Sequence, residues 1–292
     1  MAQLAVENSR TTAAAPKIAP RPWLAAASLA QREWVRFVRQ RNRVVGAIGQ
    51  PIIFWLLFGA GLGPTFRLGV DGAAGLSYRE YFFPGSLILI LLFTAIFATI
   101  SVIEDRREGF LQSVLVAPIP RWSMVLGKVV GGSMIATVEG LLFLALGLTL
   151  GIQFTVPMLL AIVLLLAVIS LALTSLGFVI AWRMDSTQGF HAIMSVFLMP
   201  MWLLSGAFFP PPVLEPGMSW ISWGLSLVMQ LNPLTYGVAA LRRLLYLNVA
   251  DAQLPSDTPQ LATCWIVTLV FAAVMFLMAC KIADQRTTGD ML

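Results

Sequence analysis

The densest set of chemically capable side chains in this chain is the run Glu104-Asp105-Arg106-Arg107-Glu108, five consecutive charges in a sequence of which only 11% is charged. It continues through Gly109 to Leu115, with Phe110, Leu111, Val114 and Leu115 on one helical face, until Pro118 and Pro120 stop it. Acidic residues at its start suit a helix N-terminus, so the pattern predicts one short helix over residues 104–115. Such a helix has the shape to dock into a groove of a soluble protein, and a solvated turn is the competing reading. Arg32, Arg36, Arg39 and Arg43 recur at helical spacing within 24–43, with Trp34, Val35, Phe37 and Val38 on the opposite arc. This stripe predicts a helix lying in a membrane interface, arginines toward phosphates, as a plain anchor or as a contact surface for a partner. Glu139 stands alone in an apolar stretch. It either hydrogen-bonds a neighbouring helix in neutral form, or binds a cation or carries a proton.

Other chemistries lack their residues. The only Gly-Lys pair, Gly127-Lys128, is followed by Val129, and Trp122 stands where a phosphate-binding loop needs its first glycine. The sequence contains no H-E-x-x-H and no G-x-S-x-G. Lone His191 has no acidic or cysteine neighbours at metal spacing, so no catalytic residue, metal site or bound cofactor is expected. Cys264 and Cys280 lie sixteen residues apart in one apolar segment. On a single helix that is roughly 24 Å, too far for a bridge.

The elements that must position these residues are membrane spans. With 58% hydrophobic residues and a mean hydropathy of +0.83, the chain is too apolar for a water-soluble domain of its length. Six blocks are long enough to cross a bilayer: 44–62, 82–103, 124–152, 156–182, 190–209 and 262–282. Lipid satisfies no backbone group, so each block must be helical. The fold class expected is an all-α integral membrane protein. Residues 1–22 read as a disordered lead without a cleavable signal, and 23–292 as a single domain. Gly59 and Gly63, Gly127 and Gly131, and Gly147 and Gly151 each stand four apart, a weak sign of close helix approach.

Six spans put both ends on one side. Placing the ends inside leaves only Arg67, Arg79, Arg242 and Arg243 outside and fifteen of the nineteen Lys and Arg within, including Lys128 and Arg183. The positive-inside rule therefore puts both termini in the cytoplasm, and the net charge of +5 needs no nucleic-acid partner. After Pro210, Pro211 and Pro212, the stretch 220–231 is too short to cross and precedes Asn232-Pro233. A re-entrant hairpin entering from outside fits better than a seventh span.

Three blocks carry a resemblance: EDRREGFLQSVLVAPIPRWSMVLGKVVGG from Glu104, MPMWLLSGAFFP from Met199 and LNPLTYGVAALRRLL from Leu231. Together they resemble the permease subunits of type-2 ABC exporters, the group of antibiotic-resistance, nodulation-factor and polysaccharide exporters. The resemblance covers nearly the whole chain after Trp23. It implies a multi-pass protein of the bacterial inner membrane, exporting a drug-like, lipidic or glycan substrate. It also implies a homodimer with two cytoplasmic ATPase subunits, which bind the ATP and Mg.

By the same resemblance, the segment from Glu104 to Leu115 couples to the ATPase through Glu104, Asp105, Arg106, Arg107, Glu108, Phe110, Leu111 and Leu115. The interfacial helix also touches the ATPase. Spans two and five line the path, which makes Phe93, Thr94, Phe97, Phe197, Met201 and Leu204 candidates, with Glu139 added as the departure from the family's usual neutral residue. The re-entrant segment from Val213 and the helix from Tyr236 to Leu247 would close the exit. An ion-coupled secondary transporter using Glu139 is the rival reading, and the matching repeats it requires are not visible.

Overall fold

A computed structural model of the 292-residue chain describes residues 21–61, 77–212, 219–246 and 258–285. The expected lead before residue 21, Arg67 and the hairpin approach at 213–218 lie outside the described residues. Every regular element among those described is helical. Helix α1 (Pro22–Arg39) begins on a proline, which has no N–H to leave unpaired. Helix α2 (Arg41–Gly61) carries Pro51 inside it. The side chain of Arg43 is outside the described residues, so the fourth arginine of the stripe has no described partner.

Helix α3 (Tyr78–Ala98) opens on a capping box, in which Ser77 accepts from the Glu80 N–H and Glu80 reaches back to the Ser77 N–H. Beyond Thr99 it continues as α4 (Ile100–Arg107), so that 78–107 forms one 30-residue apolar run. Gly109 then adopts φ +76°, a left-handed conformation that turns the chain into the short α5 (Phe110–Val116). The expected single helix over 104–115 is thus two. The acidic residues close the long helix rather than open the short one, because the glycine break falls after them.

Helix α6 (Arg121–Leu144) runs on as a 3-10 turn to Leu150, followed by α7 (Val156–Ala181) and α8 (Thr187–Trp202). α8 ends in a π turn at Leu203–Ala207, broken by Gly206 at φ +73°. Helices α9 (Trp220–Leu231) and α10 (Pro233–Tyr246) form a hairpin, and α11 (Leu261–Asp284) closes the described fold. Asn232 shapes the hairpin turn: its Oδ1 accepts from the Leu234 N–H, and its Nδ2 donates to the Met201 carbonyl at 2.6 Å. The second helix of the hairpin starts at Pro233, three residues before the Tyr236 expected from the sequence.

Among the described residues five helices are long and apolar enough to cross a membrane: 78–107, 121–150, 156–181, 187–207 and 261–284. The apolar part of α2, Pro51–Gly61, is shorter. α3 is the axis of the bundle, with α2, α6, α7, α8 and α10 around it. Its apolar stretch is 89% buried, against 28% for α11, which presents Ile266, Val270 and Leu277 outward as a lipid-facing helix does. Cys264 is buried and Cys280 half-buried, both unbridged.

Candidate functional site

The charged run meets α1 and α6 in a buried ionic knot. Gly127 and Gly131 make the meeting possible. A Cβ on Gly127 would stand 2.7 Å from the Ala26 carbonyl oxygen, and one on Gly131 would stand 2.8 Å from the Glu33 Cβ. This four-apart glycine pair marks a close helix approach, while Gly63 of another lies outside the described residues. α1 therefore lies against α6, burying Ala26, Leu29, Ala30, Glu33 and Phe37. Its partner is a protein surface rather than lipid alone, and the buried Phe37 shows that the arc opposite the arginines is shared between protein and outside.

At the centre stands Asp105, fully buried. Arg32 makes a forked contact with it, Nη1 to Oδ2 at 3.0 Å and Nη2 to Oδ1 at 2.8 Å, the planar geometry that suits a guanidinium and a carboxylate. Arg36 donates to Asp105 Oδ1 at 3.1 Å and to Glu104 Oε2 at 2.5 Å. From the other side Lys128, 4% exposed, donates to Asp105 and to Glu33 Oε1 at 2.5 Å. Three cations (Arg32, Arg36, Lys128) thus face the carboxylates of Glu33, Asp105 and Glu104, with Glu108 3.9 Å from Arg36 at the outer edge, so the desolvation of the knot is matched by paired charge. Burial works against the Arg32 charge, but the hydrogen bonds and the charge of Asp105 outweigh it and hold the guanidinium above its ordinary range. The Arg32 guanidinium also sits 3.8 Å from the Phe110 ring centroid, which ties α5 to the knot.

This corrects part of the sequence reading. Arg32 and Arg36 turn to carboxylates rather than to headgroups, since an unpaired Asp105 at this depth would be costly. Arg39 is exposed. Leu111 is buried and Phe110, Val114 and Leu115 pack on the core, so the apolar face of α5 points inward. Asp105 and Leu111 cannot touch a partner directly. The outward surface of the corner is made instead by Arg107, Glu108, Gln112, Ser113 and Val116. Arg106 donates to the Trp182 carbonyl at 2.6 Å and the Met184 carbonyl at 3.3 Å, and Arg107 donates to the Asp185 carbonyl. The turn after α7, which reads as ordinary flanking charge, is thereby bound to α4, with cations at a helix C-terminus where they are favoured.

Glu33 and Lys128 are the members of the knot that sequence reasoning missed. Lys128 enters it only as one more cytoplasmic cation. The signal was available: a lysine on α6 beside two glycines four apart, with Glu33 among the arginines of the stripe. Beside the knot lies a groove of about 690 Å³, lined by Arg32, Arg36, Arg39, Gln40, Val35 and Glu108 among others.

The path candidates separate into two groups. Glu139, 2% exposed, accepts a hydrogen bond from the Thr94 hydroxyl of α3, so the pairing with a neighbouring helix holds and neither residue faces an open surface of this chain. Phe93 and Phe97 are half-buried, and Phe97 stands 5.0 Å from the His191 ring of α8. Phe197 is exposed, and Met201 and Leu204 are half-buried. Arg242, counted among the external charges on the helix expected from Tyr236, is 3% exposed on α10. Its guanidinium is held by backbone carbonyls, which spares it the cost of bare burial.

Comparison with known proteins follows the same lines. A model of the ABC-2 type transporter family matches residues 25–246, which runs from the first turn of α1 to the end of α10. The chain is 25% identical over 218 residues to the putative transport permease ycf38 of Cyanophora paradoxa, covering 73% of this chain and 71% of that one. It is 27% identical over 154 residues to the probable multidrug ABC transporter permease YbhR of Escherichia coli K12, covering 50% of this chain and 41% of that one. Over 271 residues it is 25% identical to the inner membrane transport permease YadH of the same strain, covering 91% of this chain and 97% of that one. A multi-helix membrane fold, a packed corner between α4 and α5 and a family match across three quarters of the sequence agree, and the chain belongs to the ABC-2 type transporter family.

Proposed function

We propose that this chain is the membrane-spanning subunit of an ATP-driven exporter whose ATPase is a separate polypeptide, and that the α4–α5 corner is where the two meet. α2 supplies the first of six crossings, and the Asp105 end of α3–α4 lies in the cytoplasm of a bacterial inner membrane with both termini. ATP and Mg bind on the partner. The complex holds two permease copies and two ATPases, with the α3 and α8 faces bearing Phe93, Phe97, Phe197, Met201 and Leu204 turned to the second copy. The multidrug name of YbhR favours a drug-like or lipidic substrate over a glycan.

The observation that carries this reading is the ionic knot. A surface that receives force must not yield, and here three helices are cross-tied behind a short helix whose outer side is left to a partner. Closure of two ATPases on nucleotide would move such a corner as a unit and shift the permease pair between inward and outward states. The burial of Glu139 against Thr94 supports a structural carboxylate over the ion-coupled alternative.

The test is to co-express the full chain with a candidate ABC ATPase subunit from the same genome, purify the complex and place a photo-crosslinker at Glu108 or Ser113. The expected product is a permease–ATPase adduct that is lost when the crosslinker is moved to Val270 on α11. ATPase-free solute transport by the purified chain would overturn the reading, as would labelling that placed Arg107 on the external face.

A further inference from the structure

At the Tyr81 end of α3 a second charge is buried, and it is held in a different way. Arg242 donates through Nη2 to the Gly206 carbonyl at 3.0 Å and the Tyr81 carbonyl at 3.4 Å. Its guanidinium carbon lies 4.1 Å from the Tyr81 ring centroid. The Tyr81 hydroxyl donates to the same Gly206 carbonyl at 2.8 Å. That carbonyl is free to accept because Gly206, at φ +73°, breaks α8 and leaves its last acceptors outside the helical ladder. One turn along α10, Tyr246 donates to the Glu80 carbonyl at 2.7 Å, the acceptor that Pro84 of α3 cannot serve for want of an N–H.

Among the described residues no carboxylate pairs with Arg242, and its Nε donates to nothing. The cation is held by backbone dipoles, an aromatic face and the C-terminal end of α8. Such partners give a directional bond without the Coulomb attraction of a full opposite charge.

We propose that Arg242 is a releasable latch: its guanidinium holds the α9–α10 hairpin and the Gly206 break against the first turns of α3, and letting go of the Gly206 carbonyl is the step by which this end of the molecule opens. Arg242 is a positioning residue, acting through Gly206 and Tyr81. The inference depends on this chain alone and stands whether or not the ATPase reading holds.

Hydrogen exchange of the full chain in lipid nanodiscs, read by mass spectrometry, tests it. In the wild-type chain the amides of 201–208 should exchange faster than those of 100–107 at the knotted end. In Arg242→Gln, peptides covering 201–208 and 219–231 should exchange about tenfold faster or more, the loss expected for hydrogen bonds from a charged donor, with α6 unchanged. Arg242→Lys, which keeps a charged donor, should recover most of the protection. Tyr81→Phe, which removes only the hydroxyl bond to Gly206, should raise exchange in the same peptides by a smaller factor. Where Arg242→Gln does not yield folded protein, Tyr81→Phe decides on those peptides. Unchanged exchange in both variants, a lysine variant as fast as the glutamine one, or an equal rise throughout α6 would overturn the latch, as would slower wild-type exchange at 201–208 than at 100–107.

Discussion

The two ends of the α3–α4 helix bury charge by opposite means. At the Asp105 end Arg32, Arg36 and Lys128 meet Glu33, Asp105 and Glu104, and the pairs that join different helices cross-link α1, α4 and α6. At the Tyr81 end a single arginine rests on carbonyls and a ring. Full charges in a low-dielectric setting hold strongly and tolerate no missing partner, whereas a charge on dipoles holds less and can be exchanged for water. The difference teaches that similar burial does not mean similar rigidity. On the reading proposed above, the knotted end transmits a displacement and the latched end permits one.

The largest expected effect comes from removing the cation at the centre of the knot. Lys128→Met leaves Asp105 and Glu33 short of a partner and should lower the unfolding free energy of the detergent-solubilised chain by about 3–5 kcal/mol. Adding Glu33→Leu should recover part of that loss, with a coupling of roughly 1 kcal/mol or more in a double-mutant cycle of thermal unfolding. Strict additivity would show that the two side chains do not share one network.

Next in size is the hinge between knot and corner. A Cβ on Gly109 would meet no atom within 4 Å, so Gly109→Ala carries only the left-handed backbone penalty of about 1–2 kcal/mol. Thermal unfolding should register that shift. A larger loss would mean that α5 requires more of this position than its conformation.

The comparison is sharpened by a change that spares the knot while altering its outer face. Glu108, 61% exposed with a long contact of 3.9 Å to Arg36, can be reversed to arginine at a stability change within about 0.5 kcal/mol. The same Glu108→Arg should reduce ATP hydrolysis in the permease–ATPase complex. Wild-type hydrolysis would remove Glu108 from the contact surface. The smallest effect is expected at mid-membrane, where Glu139→Gln keeps an acceptor for the Thr94 hydroxyl and should change unfolding by less than about 1 kcal/mol.

Much of this was legible in the residues. Apolar blocks of bilayer length announced the long helices, and Asn232-Pro233 after the short stretch ending at Leu231 announced a break between two short helices, because length and proline act locally. The importance of 104–108 was also legible, since five charges do not sit beside an apolar span without partners. What they bind was not. The arginine stripe looked like a headgroup surface because amphipathicity reports only that a face is polar, and it does not say whether water, lipid or carboxylate will meet it. Arg242 counted only as one of four external charges for the same reason.

By itself the sequence determined that the chain is helical and membrane-embedded and where its long apolar segments lie, because hydropathy acts through the backbone within a few residues, while the breaks at Gly109 and Gly206 emerged only with the structure. Only the tertiary structure decided that Lys128 faces Asp105 and Glu33, that α5 turns its apolar side inward, and that Arg242 rests on the carbonyl freed at Gly206. Those outcomes depend on which helices lie side by side. That choice is set by close approach at Gly127 and Gly131 and by the need of each buried charge for a partner far away in the chain.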